Sequence, residues 1–166
     1  MRRTSAVAFA VLFLSLIAAA QQTKPLLKID GKIASPVTIT QEEWAKLPRA
    51  TVEAKGHSKE VTQYEGVPLK VLLQKAGVLQ RDKPLRGKEL RQYIVVTASD
   101  GYSVLFSLGE LDDATGATSN ALLADKANGK PLAENATPLQ LIVPSDKRPA
   151  RWVRMVTSIT VSTATE

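Results

Sequence analysis

A basic segment late in the chain carries the side chains best suited to binding an anion. The segment is PSDKRPARWVRM, residues 144–155, and it holds four cations: Lys147, Arg148, Arg151 and Arg154. Arginine presents a planar fork of N–H donors that matches carboxylate and phosphate, so this density of arginine predicts an oxyanion site. The alternative is that the cations are spread over a loop and an outward strand face, with Trp152 and Val156 packing inward; strict alternation would place Trp152, Arg154 and Val156 on one face. Composition alone does not separate the two interpretations.

The single histidine is the other candidate for chemistry. His57 follows a glycine in the polar stretch Lys55–Ser58, which has the composition of a surface turn. One interpretation is a solvated loop histidine, and the other is a ligand or base at a binding site. No serine or aspartate can be assigned to it as a partner from the sequence. We therefore include His57 with the four cations as a candidate cofactor-binding residue and assign no catalytic residue.

The absence of cysteine excludes several classes of site. With no cysteine in 166 residues, the chain has no disulfide, thiolate metal site, iron–sulfur cluster, cysteine nucleophile or covalently attached haem. With one histidine it also has no multi-histidine metal site. We therefore expect no haem and no iron–sulfur cofactor.

The first 20 residues have the layout of a secretory signal peptide. Arg2 and Arg3 precede an apolar run that ends at Ala18–Ala20, and the pair lacks the polar surroundings of a twin-arginine signal. We expect residues 1–20 to be removed and residues 21–166 to form one exported domain, periplasmic or secreted, without a membrane span. Losing two arginines lowers the net charge from +6 to +4. That modest charge is dispersed among acids, which argues against a nucleic-acid partner.

Short alternating segments predict the elements that must position these residues. Thr40 to Glu43 has the spacing of a helix capping box, and the stretch from Pro68 to Gly77 predicts an amphipathic helix. A helical turn is expected near Gly109. The other elements are predicted strands, at residues 26–30, 37–39, 51–54, 59–64, 93–98, 102–108, 121–124, 138–143 and 152–161. The class is therefore α+β, mixed and mainly β, with two or three short helices.

Four segments, in their order and spacing, resemble the sulfite-oxidase-like oxidoreductase molybdopterin-binding domain. They are YEGVPLKVLLQKAGV (64–78), VVTASDGYSVLFSLGEL (95–111), NGKPLAENATPLQLIVPSD (128–146) and RWVRMVTSITV (151–161). The resemblance covers most of residues 21–166. It implies a mixed, largely β fold around a pterin-binding cleft.

The resemblance also implies a cofactor and a place for it. Catalytic relatives hold molybdenum through the pterin dithiolene and one protein cysteine, and the nearest matching position here carries Ala54. Basic residues of the family line the cofactor side of the cleft, and Arg148, Arg151 and Arg154 lie in the matching segment. We expect Arg148 and Arg151 to line one cleft with the turn around His57.

Three functions remain open at this point. The first, which we favour because the cysteine is missing, is a non-catalytic module that binds a small anionic ligand or a partner protein. The second is a molybdopterin-dependent oxidoreductase with atypical metal ligation. The third is an accessory subunit of a redox enzyme. The sequence does not give the ligand, the partner or the oligomeric state.

Overall fold

The computed structural model describes residues 25–56, 60–80, 83–115 and 120–165. The predicted signal peptide and His57 lie outside these residues. Three short helices occur in the described part: α1 (Gln41–Ala45), α2 (Leu69–Lys75) and α3 (Leu108–Leu111). The strands are β1 (Pro25–Gly31), β2 (Val37–Thr40), β3 (Ala50–Lys55), β4 (Val61–Pro68), β5 (Gln92–Ala98), β6 (Ser103–Ser107), β7 (Leu122–Ala127), β8 (Lys130–Pro131), β9 (Gln140–Ile142) and β10 (Val156–Thr163). The predicted class, mixed and mainly β with a few short helices, is confirmed.

The first sheet has the strand order β2-β1-β10-β5-β6. The predicted hairpin of β5 and β6 is present, and β10 pairs antiparallel with β5 along its length. The β1 and β10 strands run parallel, which makes the sheet mixed. Along β10 the apolar residues Val156, Ile159 and Val161 are buried, so one face of this sheet contributes to the core.

The second sheet positions the candidate site. Its order is β3-β4-β7-β8, and β9 also pairs with β7. Gly66 in β4 allows the close approach of β7, because a Cβ there would lie 2.0 Å from the carbonyl oxygen of Leu123. Leucines, valines and isoleucines of both sheets join α2 in one hydrophobic cluster. Because both sheets pack in this cluster, it fixes the positions of β3 and β9, the strands that lead into the candidate site.

The helices begin and end where the sequence predicts. Thr40 caps α1, with its side chain accepting from the Glu43 amide while the Glu43 carboxylate accepts from the Thr40 amide. Gly77, at a φ of +70°, follows the end of α2. In the described residues no helix is long and apolar enough to cross a membrane.

A partly exposed cluster of Trp44, Arg49 and Asp125 joins α1 and the residues after it to the second sheet. The Trp44 indole donates to Asp125 at 2.6 Å, and Arg49 holds the same carboxylate through two N–H groups at 2.6 and 3.0 Å. Arg49 also donates to Glu65 at 2.7 Å. Burial raises the pKa of Asp125, but the hydrogen bonds from Arg49 and Trp44 outweigh it and leave that pKa below its ordinary value.

The predicted strand at residues 152–161 begins later than expected. Regular pairing in β10 starts at Val156, and Pro149–Arg151 forms a turn of 3₁₀ helix before it. Met155 has a φ of +51°, which breaks the alternation of side chains. As a result Trp152 and Val156 are buried whereas Arg154 is exposed, so the expectation of one shared face is wrong.

Candidate functional site

The basic segment is a connection between β9 and β10 with its own internal structure. Trp152 is 6% exposed, and its indole N–H donates to the Val143 carbonyl at 3.1 Å. Its ring meets the Tyr64 ring edge to face, with centroids 5.8 Å apart and an angle of 89° between the planes. The indole is therefore a fixed wall and not a mobile loop side chain.

Arg151 is held by carboxylates of the protein itself. Its guanidinium donates to both oxygens of Asp146, at 2.6 and 3.1 Å, and to Glu110 at 3.2 Å. The same group lies 4.3 Å from the centre of the Phe106 ring. The hydrogen bond to Asp146 raises the pKa of Arg151 above its ordinary value. Since its donors are engaged, Arg151 fastens the basic segment to α3.

Arg154, three residues later, is in the opposite situation. Its side chain is exposed, and no ion pair or hydrogen bond joins it to the residues that the structure describes. Its backbone position is nevertheless fixed, because the amide of Leu141 donates to the Val153 carbonyl at 2.8 Å and the amide of Val156 donates to the Leu139 carbonyl at 2.9 Å. Arg154 is thus a fixed cation with free donors.

Arg154 stands at the edge of a cleft of about 300 Å³, which we name the aromatic cleft. It is lined by Gly56, Tyr64, Ala127, Leu132, Ala133, Asn135, Ala136, Gln140, Pro149, Trp152 and Arg154. The lining contains aromatic walls, two side-chain amides, a phenol and one cation, and it contains no carboxylate. Ligand sites in proteins typically combine apolar walls with a few convergent polar groups in this way.

Other clefts of similar size are less suited to an anion. A cleft of about 290 Å³ shares Pro149, Trp152 and Arg154 with the aromatic cleft but is also lined by Asp100. A cleft of about 250 Å³ beside α2 is lined by Asp112 and Asp113. Because a carboxylate repels an anion, the aromatic cleft is a better anion site than either of these two clefts.

Three of the predicted cations lie outside the lining of this cleft. Lys147 and Arg148 are exposed, and neither they nor Arg151 belong to its lining. His57 lies outside the described residues, but Gly56, the residue before it, lines the cleft, and a Cβ at Gly56 would lie 3.5 Å from the Trp152 ring. The structure therefore brings Gly56 together with Arg154, and the role of His57 stays a prediction.

Three polar residues of the cleft were missed by sequence reasoning: Tyr64, Asn135 and Gln140. Gln140 had a signal, because it is the one polar residue in the apolar run 139–143. Tyr64 and Asn135 had none, because their approach to Trp152 and Arg154 depends on how the second sheet pairs.

A family model matches nearly the whole chain. The oxidoreductase molybdopterin binding domain matches residues 17–166. The chain belongs to this family. The family resemblance found in the sequence is thereby confirmed, and no curated protein matches the chain.

A solved structure supports the same fold. The crystal structure of the sulfane dehydrogenase SoxCD from Paracoccus pantotrophus aligns with a TM-score of 0.64 and 23% sequence identity. The alignment covers 85% of this chain but 38% of that chain. This family member therefore spans well under half the length of its structural neighbour, and the likeness at this identity concerns the fold.

The residues present do not supply a protein ligand for a metal at the expected position. The chain has no cysteine, and Ala54, near the end of β3, is 7% exposed within the hydrophobic cluster. A methyl group cannot coordinate molybdenum, for which a thiolate is a suitable soft donor. In the described part of the chain no three histidine, aspartate or glutamate side chains come together as a metal site.

Proposed function

We propose that the protein is an exported, non-catalytic module of the molybdopterin-binding domain family that binds a small organic anion in the aromatic cleft. The observation that carries this proposal is Arg154, a positioned cation without an ion pair among the described residues, at a cleft without carboxylates. The aromatic walls favour an organic anion over a bare inorganic one, since they offer apolar contact as well as charge.

The non-catalytic part of the proposal rests on Ala54. In the family resemblance this position corresponds to the metal-ligand cysteine, and Gly56, two residues later, lines the cleft. A chain that kept the cleft but replaced the thiolate by a methyl group would keep binding and lose metal chemistry. Export rests on the layout of residues 1–20.

Titration with benzoate, a simple aromatic carboxylate, tests the binding. We expect the full-length chain to bind benzoate, and Arg154→Gln to weaken binding about tenfold because the charge-assisted hydrogen bonds are lost. Arg148→Gln is the matched control, since Arg148 is exposed, outside the cleft and equally charged. Its affinity should change less than about twofold. Equal effects of the two substitutions would show that the anion is attracted by the general charge of the segment.

Family membership favours a second candidate function, a molybdopterin-dependent oxidoreductase with atypical metal ligation. Elemental analysis for molybdenum and fluorescence of oxidised pterin, on protein isolated from the exported fraction of its host, separate the two. Stoichiometric metal and pterin would establish the oxidoreductase and overturn the non-catalytic proposal. A folded protein that carries neither supports the binding module.

A further inference from the structure

Gln140 is a buried polar side chain that the protein itself leaves unpaired. It is 9% exposed and is the one polar residue among the buried side chains of the described chain. No hydrogen bond joins its side chain to the residues that the structure describes, yet it lines the aromatic cleft. In the described chain no buried side-chain nitrogen or oxygen lacks a partner, so the Gln140 amide is not sealed from solvent, and it is available to a group that enters the cleft.

The backbone around Gln140 holds the amide in place. Gln140 pairs with Ala124 in β7, and its neighbours Leu139 and Leu141 each share a backbone hydrogen bond with the segment that carries Arg154. The cleft therefore has a buried end with an amide and an exposed edge with a cation. The rings of Tyr64 and Trp152 lie along it.

The amide determines what can occupy the buried end. A glutamine side chain offers one carbonyl acceptor and one NH2 donor. An anionic oxygen could accept from the NH2 group but would face the carbonyl oxygen, which repels it. A carboxamide or lactam edge instead offers a donor and an acceptor together, so it satisfies both halves of the glutamine.

We infer that the ligand of the aromatic cleft is a planar aromatic carboxylate that also carries a carboxamide-type edge, with the carboxylate at Arg154 and the amide at Gln140. This inference rests on the proposed function and specifies its ligand class. A volume of about 300 Å³ suits one substituted ring. Gln140 is then the specificity residue, because a site built to hydrogen-bond a polar group rejects the analogue that lacks it.

A set of four probes tests the inference by isothermal titration of the full-length chain. The probes are 3-carbamoylbenzoate, benzoate, benzamide and 3-acetylbenzoate, which keeps the carbonyl of the amide but replaces its NH2 by a methyl group. We expect 3-carbamoylbenzoate to bind about tenfold tighter than benzoate or 3-acetylbenzoate, because these lose one or both hydrogen bonds. Benzamide should bind about tenfold more weakly than 3-carbamoylbenzoate, since it lacks the charge at Arg154.

Substitution of Gln140 completes the test. In Gln140→Leu, which keeps the size of the side chain, the preference for 3-carbamoylbenzoate over benzoate should fall below about twofold. Gln74→Leu is the control, because Gln74 lines a different cleft, and it should retain the full preference. If Gln140→Leu does not fold, the comparison of the four probes on the unmodified chain decides the question alone.

The outcomes separate this inference from the proposed function. Equal affinities for 3-carbamoylbenzoate and benzoate, both weakened by Arg154→Gln, would overturn the role of Gln140 and leave the anion site standing. A preference for the carboxamide that persists in Gln140→Leu would likewise overturn that role. No binding of any probe would overturn both.

Discussion

Arg151 and Arg154 lie three residues apart in one basic segment, but their surroundings differ completely. Arg151 contacts two carboxylates and the face of a phenyl ring, whereas Arg154 borders a cleft with no carboxylate in its lining. The first arginine holds the segment in place and the second presents a charge. A basic segment is thus not one functional unit, because the acids that fold against it decide which cations remain free.

The two arginines also depend on each other. By fastening the connection to α3 and to Asp146, Arg151 fixes the turn from which Trp152 and Arg154 emerge. The Trp152 indole, hydrogen-bonded to Val143, is then held against Tyr64. The cluster of Arg151, Asp146, Glu110 and Phe106, which we name the closed cluster, therefore supports the aromatic cleft.

The largest expected effect comes from removing the closed cluster. Arg151→Ala leaves Asp146, which is 13% exposed, without its partner and removes the contact with Phe106, so we expect the free energy of unfolding to fall by about 2 kcal/mol. Arg154→Ala should change it by less than about 0.5 kcal/mol, because Arg154 is exposed and makes no ion pair in the described chain. Urea denaturation at neutral pH measures both. Similar losses in the two variants would show that the contrast between the arginines is not energetic.

Arg49 and Asp125 form a second cluster in which an arginine is paired with a carboxylate, and its contribution to stability can be tested by changing the pH. The pKa of Asp125 lies below its ordinary value, so this carboxylate stabilises the fold fully above the unfolded pKa of about 4 and loses that contribution as the pH falls through the lower folded pKa. We expect Asp125→Asn to be less stable at pH 7, by less than the Arg151→Ala loss, and to lose less stability than the parent below about pH 4.

Denaturation midpoints between pH 7 and pH 2 for the parent and Asp125→Asn check this expectation. Other carboxylates with a lowered pKa, such as Glu43 and Glu65, remain in both proteins, so only the difference between the two curves reports on Asp125. Parallel curves would mean that the hydrogen bonds from Arg49 and Trp44 add no pH-dependent stability.

The fold was more accessible to sequence reasoning than the site. Capping by Thr40, the stop at Gly77 and the β5 and β6 hairpin follow from local chemistry, and each is present. Arg151 has one partner nearby in sequence, Asp146, but its contact with Glu110 and the position of Arg154 beside the second sheet join residues that are distant in the chain. Patterns along the sequence predict what neighbouring residues determine, whereas the absence of an acid beside Arg154 and the contact of Arg151 with Glu110 are set by tertiary structure.

The smallest expected effect comes from a substitution at Gly56, in the lining of the aromatic cleft. A Cβ at Gly56 would lie 3.5 Å from the Trp152 ring and 3.8 Å from the Tyr64 hydroxyl, which are ordinary contact distances. Gly56→Ala should therefore leave the free energy of unfolding within about 0.5 kcal/mol of the parent while it narrows the cleft. We expect benzoate affinity to fall about threefold, or roughly 0.6 kcal/mol of binding free energy. Gly109→Ala is the control, because Gly109 also lies beside a side chain, Leu90, but not in the aromatic cleft. Unchanged benzoate affinity in Gly56→Ala, with Arg154→Gln still weakening binding, would place the anion at the edge of the cleft and away from the aromatic walls.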